Sequence, residues 1–168
     1  MGTVSSTQVS NYLDNNPPIV NQPAVAGGSG KRTYADTMEL TTGNLAAAEV
    51  IELAIVSVEE IPTSIRLAFD DLGGTMTADL GLYTLERAVV DVDALGAAID
   101  LATASTALDE KFASTATTKA QVGQKFWEIA AGVTATPGGQ YIIALTMVTS
   151  TTPAAGTLSW VIETAATP

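Results

Sequence analysis

Carboxylates are the only abundant reactive side chains in this sequence: 18 Asp and Glu against seven Lys and Arg, with no histidine and no cysteine. The absent histidine removes the commonest general base and metal ligand, and the absent cysteine removes thiolate chemistry, zinc-thiolate sites and disulfides. Paired carboxylates can perform acid–base work of the kind glycosidases use, and Asp70-Asp71 form one adjacent pair. Neighbours on a strand point to opposite faces, however, and aspartates at turns commonly accept backbone hydrogen bonds. The expected role of that pair is structural. Asp91-Val92-Asp93 resembles the opening of a calcium loop, but Leu95 stands where an EF-hand needs Asp or Asn, and Ala102 where it needs Glu. Asp91, Asp93 and Asp100 are left as candidates for a non-EF divalent site. Gly73-Gly74 and Gly27-Gly28-Ser29-Gly30 lack the spacing and the following Lys-Ser/Thr of a phosphate loop. No S-x-x-K pattern supports a serine–lysine dyad. The expectation is a protein with no catalytic residues, no cofactor and no metal.

The elements around these residues read as strands. Thr63–Thr84 alternates through Ile65, Leu67 and Phe69, turns at Asp71-Leu72-Gly73-Gly74, and alternates again through Leu80 and Leu82 to Tyr83. This reads as a hairpin-like pair. Tyr34–Leu40 and Glu49–Val56 read as earlier strands, and Pro62 fits a strand start. Gln140–Ser150 and Thr157–Thr164 alternate about the turn 151–156 and read as a closing hairpin. Between these groups, Val92, Leu95, Ile99 and Ala102 fall near helical spacing, and Thr106 with Asp109 suggests a capped turn through Phe112. The stretch 86–117 therefore reads as a long excursion with short helical turns. Thr118 and Gln121 suggest a capping box for a helix bearing Val122, Phe126 and Ile129 on one face and ending at Gly132. Trp127 beside Phe126 reads as core packing.

Six to eight strands without a βαβ rhythm predict an all-β chain. The favoured form is a jelly-roll-like antiparallel β-sandwich with one short inserted helix, over residues 33–168. Residues 1–32 are rich in Asn, Pro, Gly and Ser and are expected to form an extended N-terminal arm. Tyr12, Leu13, Pro17, Pro18, Ile19 and Val20 are its candidate contact residues, ordering on a neighbouring subunit.

Net charge −11 with no basic cluster beyond Lys31-Arg32 argues against nucleic acid as a partner. No apolar run approaches the roughly 18 residues a membrane helix needs, and the N-terminus lacks the pattern of a signal peptide. Only 15% of residues are charged, below the usual quarter or so, which suits a surface that packs against other chains.

Ser64-Ile65-Arg66-Leu67, then Asp70-Asp71-Leu72-Gly73, then Asp79-Leu80-Gly81-Leu82-Tyr83 resemble a pattern in small structural proteins of tailed bacteriophages, cyanophages and marine phages among them. Lys125–Gly132 and the turn Ala155-Gly156-Thr157 follow in the same order, so the resemblance covers roughly 34–163. It implies a capsid decoration or cement protein on the outside of the virion, made in the host cytoplasm and commonly a homotrimer. The implied partner is the major capsid protein, and no catalytic residues are implied. On that reading Leu95, Ile99, Leu108 and Phe112, in the excursion 92–112, are the candidate subunit interface. The alternative is a receptor- or glycan-binding module on a head fibre or tail.

Overall fold

The computed structural model describes residues 2–6, 9–10, 13, 30–105, 107–112, 120–149 and 151–166. Its strands in chain order are β1 (Thr3–Ser5), β2 (Lys31–Leu40), β3 (Val50–Ser57), β4 (Ile61–Phe69), β5 (Thr77–Tyr83), β6 (Val89–Asp100), β7 (Asp109–Glu110), β8 (Gln140–Thr149) and β9 (Gly156–Ala165). A 3-10 turn (Thr42–Leu45) follows β2, and a helical turn, α1 (Phe126–Ile129), precedes β8. The strands form two sheets, ordered β1-β3-β8-β5-β6 and β2-β9-β4-β7.

Four antiparallel pairs nest inside one another: β2 with β9, β3 with β8, β4 with β7, and β5 with β6. Eight strands paired from the outside inward and rolled into two sheets make a jelly roll, so the expected all-β sandwich is present. Period-two alternation supplies its core. Leu53, Val56, Ile65, Leu67, Leu80, Leu82, Ile143, Leu145, Leu158, Trp160 and Ile162 are fully or almost fully buried in one cluster between the sheets. Burying each such aliphatic side chain contributes about 1.5–3 kcal/mol.

Neither expected hairpin forms. β4 and β5 lie in different sheets, as do β8 and β9. The turn after β4 crosses the sandwich and clasps the turn before β9. Thr157 N donates to Asp70 Oδ2 at 2.8 Å, Ala154 N to the Leu72 carbonyl at 2.8 Å, and Gly73 N to Asp71 Oδ1 at 2.8 Å. Gly74 adopts φ +50°, and a Cβ there would lie 1.6 Å from the Thr151 carbonyl oxygen, so only glycine allows this approach.

The excursion also differs from expectation. Residues 89–100 form strand β6 rather than helix, and Asp109–Glu110 pair with Arg66–Leu67 instead of opening a turn. The β5–β6 ladder shifts register three times, and Ala98 takes φ +52°. Bulges stretch a two-residue alternation toward three- and four-residue spacing, which imitates a helical stripe. Thr118, like Thr106 of the earlier expected turn, lies outside the described residues; of the later helix, the described residues show a helical Ala120 and the separate turn α1. Lys125 N donates to Glu128 Oε2 at 2.8 Å across its first turn, and Gly132 follows with φ +79°. Phe126 and Ile129 are buried, Trp127 packs partly buried against the core, and Val122 is exposed.

Candidate assembly surfaces

The carboxylates thought capable of chemistry are occupied by backbone. Asp70 and Asp71 each accept from main-chain amides of the turns they join, as given above. Asp91 Oδ2 accepts from Ala131 N at 2.7 Å, whereas Asp100 Oδ1 accepts from Ala102 N at 2.8 Å near the opposite end of β6. Asp93 lies beside Asp91, and hydrogen bonding to Asp91 pushes its carboxyl above the ordinary range, helped by burial and by the charges of Asp91 and Asp79. Among the described residues no three acidic side chains converge as a metal site.

Two glutamates stand apart because they are buried, each about 2% exposed. Glu60, just before β4, pairs with Arg32 of β2 and accepts from Tyr34 Oη at 3.0 Å and Thr164 Oγ1 at 2.6 Å. Burial, then the charge of Glu60, raises the Tyr34 phenol to about 12. Glu52, on β3, accepts from Arg87 Nε at 2.8 Å and from the Ser5 hydroxyl. Arg87 sits in the turn between β5 and β6 at φ +65°, a conformation that costs an L-residue about 1 kcal/mol. Sequence reading missed both glutamates. The signal available was Glu52 itself, a lone charge in the apolar run Val50–Val56.

Glu52 belongs to a larger seat on the outer face of the five-stranded sheet. Val50, Tyr83, Ile142 and Ala144 point away from the sandwich core yet are buried as a second cluster, with Leu13, Ile55 and Leu85 packed against it. The N-terminal segment fills this seat. β1 runs parallel to β3 in the register Thr3–Val50, Val4–Ile51 and Ser5–Glu52. Gly2 N donates to Glu49 Oε1 at 2.9 Å and Ser6 Oγ to the Leu53 carbonyl at 3.0 Å; Ser6 and Val9 are buried. Residues expected in a free arm are therefore folded back on the body: 2–6 along β3, Val9 buried with its N–H donating to Ser6 Oγ, Leu13 against the second cluster, and Lys31-Arg32 within β2. Tyr12, Pro17, Pro18, Ile19 and Val20 lie outside the described residues.

Among the described residues, the outer face of the other sheet carries small side chains around an open depression. Ala35, Thr37, Ala68, Ser159, Val161 and Leu108 line this depression of about 450 Å³. Of the four residues expected at a subunit interface, Leu95, Ile99 and Phe112 are buried in this chain's own core, where β6 and the segment after β7 place them; Leu108 is 39% exposed and borders the depression. The described tyrosines and Trp160 are buried, so they offer no stacking platform for a sugar at this face.

No protein-family model and no curated protein matches the sequence. Among solved structures, the chain is similar to one in the capsid of Ralstonia phage GP4, with 17% identity, a TM-score of 0.69 and 99% of each chain covered. It is also similar to a chain of the cyanophage Pam1 capsid asymmetric unit, with 16% identity and a TM-score of 0.56 over 86% of this chain and 91% of that one. At such identities the correspondence is one of fold, essentially end to end for the first and over most of both chains for the second.

Proposed function

We propose that this chain is a structural subunit of a tailed-phage virion that decorates the outside of the capsid and cements it. The observation that carries the reading is the end-to-end fold match to a chain of a phage capsid. The order of motifs along the sequence suggests the same class. Net charge −11 suits a surface turned to solvent rather than toward packaged DNA.

In this reading the work is done by surfaces. The subunit, as a homotrimer, sits over a junction of major capsid protein subunits, and the Leu108 depression meets a neighbouring chain. N-terminal residues that are not seated on the body reach across the lattice. A subunit that binds only the assembled shell stabilises it by mass action, about 2.7 kcal/mol per site at a free concentration one hundred times Kd.

The test is reconstitution. Expanded capsids lacking this protein are mixed with the purified chain, sedimented and imaged by cryo-electron microscopy. Stoichiometric binding on the outer surface, with capsids surviving higher temperature, is expected. Free protein at all concentrations, or density confined to tails or fibres, overturns the decoration role. The glycan-binding alternative has no observation in its favour among the described residues.

A further inference from the structure

We propose that the edge of β3, with the apolar cluster beside it on the outer face of the sheet, accepts the N-terminal strand of a second copy of this chain, so that adjacent copies exchange β1. The seat is complete without β1. Its apolar floor comes from β3, β5 and β8, and its polar wall is Glu52 held by Arg87, none of them from the N-terminal segment. The incoming piece brings little: the Gly2 amide, three residues of parallel ladder, the Ser5 and Ser6 hydroxyls, and Leu13. That piece and its socket are distant in sequence, with Gly2 and Glu49 47 positions apart.

The connection is what permits exchange. With Leu13 travelling with the strand, residues 14–30 join the exchanged piece to β2, 17 residues, and a fully extended chain of that length spans on the order of 55 Å. Exchange preserves every contact in the seat and alters only which copy supplies the strand, which makes it a low-cost route to linked subunits. For one copy alone, its own strand wins through an effective concentration in the millimolar range. Copies held side by side at similar spacing remove that advantage. The ladder is short as well: β1 covers only Val50–Glu52 of an eight-residue strand, so few backbone bonds must open for the strand to leave.

The sequence contains no cysteine, so engineered thiols report without background. One chain carries Thr3→Cys and another Val50→Cys, Cα partners in the parallel β1–β3 register, where the spacing of neighbouring strands, about 4.8 Å, falls within the range a disulfide spans. The two are unfolded together, refolded at concentrations up to about the millimolar effective concentration of the tether, and oxidised. A control replaces Val50→Cys by Thr37→Cys, on the outer face of the other sheet. Exchange predicts a covalent heterodimer several-fold above the control, rising with concentration. Heterodimer at the control level throughout, with a chain bearing both T3C and V50C closing only on itself, overturns it. If V50C does not fold, the same split is made one step along at Val4→Cys and Ile51→Cys. No capsid is present, so the outcome is independent of the decoration reading.

Discussion

Glu52 and Glu60 are equally buried and each faces an arginine whose side chain is half exposed, yet they hold the chain differently. Glu60 ties three elements together: β2 through Arg32 and Tyr34, β9 through Thr164, and the start of β4 through its own backbone. Glu52 holds a turn through Arg87 and the first strand through Ser5. Removing the arginine at the first site leaves two hydroxyl donors on the carboxylate. At the second it leaves one. A buried carboxylate that loses its partner is expensive in proportion to what remains unsatisfied. The difference therefore teaches that Glu60 is a redundant anchor, while Glu52 is a latch that one bond can open.

The sharpest way to break this contrast is Arg87→Met. Losing one partner of a fully buried pair costs about 3–5 kcal/mol; half exposure of Arg87 reduces the expectation to about 2 kcal/mol. Arg32→Met, with Tyr34 and Thr164 still donating, should cost about 1 kcal/mol. Urea denaturation of both variants measures the order, and amide exchange adds a spatial check. R87M should lose protection at β1 and R32M should not. Equal losses would make the two sites equivalent anchors.

A smaller effect separates the sites by pH. The folded state holds the Tyr34 proton more tightly than the unfolded chain, whose phenol has the ordinary value of 10.0. That contribution is fully present below pH 10 and fades as pH rises toward about 12. The parent should therefore lose stability more steeply than Tyr34→Phe between pH 10 and 12, measured by urea titration at pH 9 and 11.5. A parallel slope would remove Tyr34 from the anchor.

The smallest expected change is at Asp93, which serves neither anchor. Its raised carboxyl means that the folded state is favoured below the ordinary value of 3.8 and loses that favour as pH rises through the folded value. Asp93→Asn should accordingly raise the melting temperature slightly at pH 7 and converge with the parent near pH 3. A drop at pH 7 would show that Asp93 bonds matter more than its repulsion.

Much of the sandwich was legible in the sequence, because alternation reports which face of a strand is buried. Tyr34–Leu40, Ile65–Phe69, Leu80–Tyr83, Tyr141–Met147 and Leu158–Ile162 all read directly as strands. Alternation does not report the neighbour. Both expected hairpins failed for that reason: a strand crossing to the facing sheet keeps the same pattern as one that folds back beside its predecessor. β6 was hidden by its bulges. The N-terminal seat was hidden differently, since Val4, Val9 and Leu13 are sparse apolar residues in polar chain and carry no period. The cluster Leu13 packs against, Val50, Tyr83, Ile142 and Ala144, lies on strands whose other face is also buried, which weakens the alternation that would have marked an uncovered side. Glu52 and Glu60 were invisible as anchors because single-residue patterning does not reveal which hydroxyls and guanidinium groups will meet them.

The nested strand order also sets a timetable. In both sheets the central partners, β8 between β3 and β5 and β9 between β2 and β4, are the last strands made. While the ribosome works through the first 139 residues, β3 and β5 have no bridge between them, and neither do β2 and β4. Translation at about 5–20 residues per second makes the remaining strands in a few seconds, and the sandwich closes only once they arrive. Until then several strand edges stand open together, in a topology whose contacts are mostly distant in sequence and therefore slow to form. Copies emerging from neighbouring ribosomes on one message would meet in that interval, with their edges still unpaired.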